Sequence, residues 1–201
     1  MNTLAFLQSE VARLQKENRD LKTHLQRLYS TVRALSHLLD TLNRLTPDFD
    51  IYALLADVLD TALEAVDSTH GSLLLADEET GELVFVLVRG PFADRLTGER
   101  LQPGEGIAGW VHRHGQPVLV VDTHHDPRWS ARIDRLTRFQ TRTVLAVPLK
   151  TGERRLGVLE ALNPRHGTPF TEEDRDMLML VAQLAALVLD RADRLASASG
   201  G

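Results

Sequence analysis

The residues of this sequence best suited to chemistry are a run of glycines and a scatter of histidines. Gly104-Glu-Gly-Ile-Ala-Gly109 fits the dinucleotide pattern G-x-G-x-x-G letter for letter. That pattern binds pyrophosphate when a buried parallel strand leads straight into the first glycine and a helix follows the last. Here Glu99-Arg-Leu-Gln-Pro103 precedes it, polar and proline-ended, so the run reads as a tight turn and a helix start, with Gly109 allowing close packing. The histidines stand as His112, His114 and His124-His125-Asp126. On a helix over 106–114, His112 and His114 point about 200° apart and cannot hold one ion together. His124 or His125 could ligate a metal or haem iron, or serve as surface or ligand-contacting residues. There is no cysteine, which excludes disulfides, thiolate metal sites and cysteine nucleophiles, and is compatible with a reducing cytoplasm. No residue is assigned a catalytic role, no metal set is assigned, and the residues identify no cofactor.

The elements that must position such groups begin with a zipper. With Leu4 as the first a position, the a residues are Leu4, Val11, Asn18, Leu25, Val32 and Leu39; the d residues are Leu7, Leu14, Leu21, Leu28, Leu35 and Leu42. A strict 3.5-residue apolar period without Pro or Gly predicts helices supercoiled left-handedly around one another. Leu at d with Val at two a positions favours two parallel strands, and Asn18 at a can pair with its copy and set the register. Glu17 at g can meet Lys22 at e of the partner. The competing reading is an amphipathic helix folded back on its own domain, whose stripe is usually wider. Residues 1–46 therefore read as a coiled-coil dimerisation helix, 47–196 as a globular domain and 197–201 as a flexible tail. Pro47 disfavours helix at Thr46 and predicts a break, with a new helix capped by Asp50.

From Ser68 the apolar period becomes that of strands. Residues 72–76 and 83–88 flank a polar turn ending in Gly81 and predict a hairpin. A short helix over 106–114, a strand over 117–121 and a long polar connection over 122–140, with a short helix near 130–136, come next. Residues 143–149 and 156–162 predict a second hairpin, and Thr171 with Asp174 caps a long final helix. This order is α+β, with the two long helices on one sheet face and the connection as a lid on the other. So long a connection more often forms a binding lid than a passive link.

Hydrophobic residues make up 43% and charged residues 25%, which is ordinary globular usage. The net charge is −5, and residues 1–46 carry seven Lys/Arg against four acids, so the remainder is strongly acidic. Such a domain does not gather nucleic acid, and a basic-zipper DNA reader fails because only Met-Asn-Thr precedes Leu4. No signal peptide is visible, and the apolar stretch 177–189 is interrupted by Gln183 and too short for a bilayer. The expectation is a cytoplasmic protein without a membrane partner.

Residues 50–195 resemble a GAF domain. The stretches that carry the likeness are GSLLLADEETGELVF (71–85), PGEGIAGWV (103–111), GQPVLVVDTHHDPRW (115–129), TRFQTRTVLAVPL (137–149), GVLEALN (157–163) and FTEED (170–174). The resemblance implies a six-stranded antiparallel sheet, a small-molecule pocket between sheet and lid, and dimers joined through flanking helices. Near that pocket it places Trp110, Asp122, His124, His125, Arg128, Trp129, Thr137, Arg142 and Asn163 as candidate ligand-binding residues. Arg128 and Arg142 would suit an anionic or phosphate-bearing ligand. Trp110 could equally pack as core, Asp126-Pro127 make a turn and Arg142 be a surface charge. Cyclic-nucleotide-binding members carry Asn-Lys-Phe-Asp-Glu, where this chain has Asn163, Pro164, Phe170, Asp174 and Arg175. Without the lysine their lysine–aspartate clasp cannot form. A cysteine-bound bilin and the cysteine chemistry of free methionine-R-sulfoxide reductases are excluded in the same way.

These readings converge on a non-catalytic regulatory module that forms a homodimer and senses an unidentified small ligand. The alternatives are a ligand-free dimerisation scaffold and, below it, a haem or metal sensor. If the chain is complete, output is expected to pass through the zipper or a downstream signalling protein.

Overall fold

A computed structural model of the protein describes residues 3–44 and 50–199. A first helix, α1 (Thr3–Arg44), is followed by α2 (Ile51–Ala65); the expected break at 45–48 lies outside the described residues. Asp50 caps α2, its Oδ1 accepting the Ala53 N–H at 3.1 Å.

Two hairpins build the sheet. β1 (His70–Ala76) and β2 (Leu83–Arg89) turn over 77–81, where Asp77 Oδ1 accepts the Glu79 and Thr80 N–H groups. β5 (Val144–Thr151) and β6 (Arg154–Leu162) form the other. The short strands β3 (Arg100–Leu101) and β4 (Val118–Val120) complete a six-stranded sheet of order β3-β2-β1-β6-β5-β4. Every neighbouring pair is antiparallel. The second face carries α3 (Ala93–Leu96), α4 (Gly106–His114), a 3-10 turn (Thr123–His125) and α5 (Arg132–Thr137); α6 (Glu172–Ser199) closes the chain. Residues 197–199, expected in a tail, continue α6, while 200 and 201 lie outside the described residues. β3 and α3 carry too few residues for a period to reveal them.

Side chains alternate across a strand, so each central strand feeds two apolar layers. Leu73, Leu145, Val147 and Leu159 face α2 and α6, where they meet Leu55, Leu59, Leu178 and Val181. Leu74, Val144, Ala146 and Val158 face the opposite side, against Phe92, Ile107 and Val111. The glycine run reads as a turn here: Gly104 and Gly106 have φ of +80° and +69°, and a Cβ on Gly109 would lie 2.5 Å from the Gly104 carbonyl carbon.

α1 has two parts. Toward its end Thr31 is buried, its hydroxyl 4.0 Å from Met177 Sδ, and Leu35 packs against the helix-side layer, so this portion docks on α2 and α6 of its own chain. Leu35, a d residue, thus faces the chain's own domain. The remaining seam residues Leu4, Leu7, Val11, Leu14, Leu21, Leu25, Leu28, Val32 and Leu39 are 46–63% exposed, and Asn18 is exposed with them. The Leu42 side chain lies outside the described residues.

At α6 a reciprocal cap forms: Thr171 Oγ1 accepts the Asp174 N–H at 3.2 Å, and Asp174 Oδ2 accepts the Thr171 N–H at 2.8 Å. Arg154 on β6 ties this helix down further by pairing with Asp190, Asp193 and Glu78. Thr171→Ala should cost about 1 kcal/mol of stability, read as a lower urea midpoint at unchanged slope.

Candidate functional site

Between the sheet and its lid lies a cavity with about 60 Å³ of room for the centres of water molecules, several times what one water needs. Its floor is made by Ser72, Phe85, Val144, Glu160 and Leu162 from four strands; its roof is Ile107 and Ala108 of α4, with Trp129, Ile133, Thr137 and Phe139 from the lid.

Register explains the floor. Ser72 and Glu160 are direct cross-strand partners of β1 and β6. Both point to the lid side, with Leu74 and Val158. Ser72 Oγ donates to Glu160 Oε2 at 2.9 Å, and no other hydrogen bond is made by this carboxyl among the described residues. Glu160 is 9% exposed, and burial pushes its acid up to about 7, the serine bond only partly opposing. Trp129 Nε1 is buried beside the same cavity and has no partner among the described residues.

The acids of the lid, in contrast, are paired within it and with the glycine turn. Thr123 Oγ1 donates to the Thr141 carbonyl at 2.6 Å; Asp134 accepts both the Thr141 hydroxyl at 2.8 Å and its N–H at 3.0 Å. Arg132 latches α5 to the glycine turn through Glu105 at 2.7 Å. Burial pushes the Glu105 carboxyl up, but Arg132, the Gln102 N–H and Ser130 together hold it below its usual range.

Of the nine candidate residues, Trp129 and Thr137 line the cavity. Asp122 caps the 3-10 turn, accepting from the His124 N–H at 3.0 Å and from His125 Nδ1 at 2.7 Å, and both histidines are exposed. Arg128 is held by Asp126 at 2.6 Å and lies 4.8 Å above the Trp110 ring, which stacks on His114. Arg142 is exposed; its N–H and that of Thr143 donate to Asn163 Oδ1, while Asn163 Nδ2 donates to the Gln140 carbonyl. Asn163 thereby fastens the lid's end to β6. Glu160, Ser72, Ser130, Asp134 and Thr141 line the cavity without having been singled out from sequence. The signal for Glu160 was available: one acid in the otherwise apolar run 156–162, between two apolar layers. Among the described residues no three His, Asp or Glu side chains gather as a metal set, and no helix is long and apolar enough to cross a membrane.

A helix-backed antiparallel sheet with this lid is matched by the sequence pattern of the GAF domain over residues 50–189. The chain belongs to the GAF domain family. Its similarity extends to a dual 3',5'-cyclic-AMP and -GMP phosphodiesterase 11A of Takifugu rubripes, 28% identical across 79% of this chain and 19% of that protein. A probable 3',5'-cyclic phosphodiesterase of Caenorhabditis elegans is 28% identical over 70% of this chain and 20% of its own length. This GAF chain thus spans about a fifth of the length of these relatives. Among solved structures, the GAF domain of a phosphoenolpyruvate-protein phosphotransferase from Coxiella burnetii superposes with a TM-score of 0.71 at 22% identity, covering 84% of this chain and 98% of that one. A free methionine-R-sulfoxide reductase from Neisseria meningitidis, in complex with its substrate, gives 0.65 at 25% identity, covering 87% and 93%.

Because the Glu160 acid is raised in the fold from an ordinary 4.5, the unfolded chain loses this proton first as pH rises. Its contribution therefore favours folding least above neutrality: stability falls from about pH 4.5 and levels just above 7. Glu160→Gln should remove that fall, leaving the variant near parity at about pH 5 and up to about 3 kcal/mol more stable at about pH 8, measured by urea unfolding across pH.

Proposed function

We propose that this GAF chain is a non-catalytic, cytoplasmic regulatory module that senses a small ligand in the sheet–lid cavity and works as a homodimer paired through α1. The observation that carries the sensing reading is the cavity, whose wall holds a carboxyl group bonded to a single serine and a buried indole N–H with no partner among the described residues. Buried polar atoms are normally paired, and a ligand supplies what the fold leaves out. The lack of cysteine removes thiol chemistry from the site.

Support for pairing comes from the exposed seam. Nine apolar a and d side chains stand half-exposed on one protomer. A second copy, parallel and in register at Asn18, would cover them, with Glu17 of one chain opposite Lys22 of the other. Occupancy of the cavity would reach this seam through the sheet and the helix layer on which the end of α1 docks, and from there a downstream signalling protein.

Two experiments test the halves separately. Light scattering on the full chain should give a dimer, and Leu14→Glu with Leu21→Glu should give a monomer whose thermal midpoint for the domain is unchanged. As the chain lacks cysteine, Asn18→Cys should cross-link copies under oxidation; no cross-link would overturn the parallel arrangement. Mass spectrometry of small molecules retained by the protein should find a species absent from Ala108→Leu, whose extra methyl groups fill the roof. Retention of nothing by either would leave a ligand-free dimerisation scaffold in place of a sensor.

A further inference from the structure

Granting that the cavity is a ligand site, we propose that its ligand is a cation: a protonated amine on a compact apolar body, its ammonium group seated against Glu160. The ionisable residues of the cavity wall are Glu160 and Asp134, and no Lys, Arg or His lines it among the described residues. Both Asp134 oxygens accept from Thr141, which holds that side chain in the lid. Glu160 Oε2 accepts from Ser72, and its Oε1 is left to a ligand. Phe85, Phe92, Trp129 and Phe139 supply aromatic walls, which favour a cation over an anion.

The same inventory argues against phosphates and carboxylates. An anion here would face two acids, with no Lys, Arg or His on the cavity wall among the described residues to pair with it. The arginines near the lid do not alter this, because Arg128 is bound to Asp126 over Trp110 and Arg142 points to solvent. A neutral alcohol could satisfy Glu160 and accept from Trp129 Nε1, but it gains nothing from the charge.

Ion pairing requires ionised Glu160, which couples binding to pH. Ser72 on β1 and Ala146 on β5 flank this side chain in the sheet, and Ile107 and Ala108 on α4 and Asp134 on α5 share its cavity. His70, two residues from Ser72, lies beyond Phe92 and Phe139, and burial lowers its tendency to protonate. Among the described residues no base on the cavity wall competes with the ligand for the charge of Glu160.

Calorimetry on the full chain with benzylamine, benzyl alcohol and benzoate tests the assignment. At about pH 8 benzylamine should bind about tenfold or more tighter than the alcohol, and benzoate should not bind. Lowering the pH to about 6 should weaken benzylamine about tenfold and leave the alcohol unchanged. Glu160→Gln should bring benzylamine down to the level of the alcohol. Equal affinities, a preference for benzoate, or an amine preference retained in Glu160→Gln would overturn the cation assignment and leave the cavity a ligand site. Binding of none of the three would overturn both. The pH series on the unsubstituted chain decides the question even if the variant does not fold.

Discussion

The fold depends on one constraint: β1, β6 and β5 lie in the middle of a sheet covered on both sides, so consecutive residues must satisfy different layers. One-residue slippage would exchange the two sets entirely. Leu73 and Leu159 pack with the long helices while Leu74 and Val158 support the lid. The central pair also needs glycine. A Cβ on Gly71 would strike the Glu160 carbonyl oxygen, and one on Gly157 would strike that of Leu74. These two positions let β1 and β6 approach closely at the place where the floor of the cavity is made.

Against this background the polar groups divide into two kinds. The lid is rich in them, yet its acids are occupied: Asp122 by the histidine turn, Asp126 by Arg128, Asp134 by Thr141. Such closed hydrogen-bond sets give the connection a defined shape around its two short helical turns. The floor is poor in polar groups, and Glu160 is left with one serine. The lid's charges thus hold the roof in place, while Glu160 gives the floor of the cavity its acid.

Much of the architecture could be read from the chain. Both hairpins, the Asp50 and Thr171 caps, the α4 start at Gly106 and the lid all carry local patterns strong enough to survive tertiary packing. β3, two residues long, has no pattern to read. The site was less legible for a different reason. The candidate residues, at 110, 122–129, 137, 142 and 163, fall mostly in the polar connection and at element ends, whereas a cavity between layers is lined by whichever side chains the strand parity turns inward. Ser72 and Glu160 meet only through a pairing 88 residues apart in sequence. Trp129 and Thr137 were accessible to reading because their lid segment bends over the floor.

The partial docking of α1 has a mechanical consequence. The helix is gripped by its domain near Thr31 and Leu35, and the part before that grip projects about 40 Å at 1.5 Å per residue. It is a lever with a short arm inside the domain and a long arm outside. A tilt of about 5° at the grip carries the far tip through about 3.5 Å, comparable to a large fraction of one helical turn. Geometry of this kind magnifies any small rotation at the grip along the length of the exposed arm.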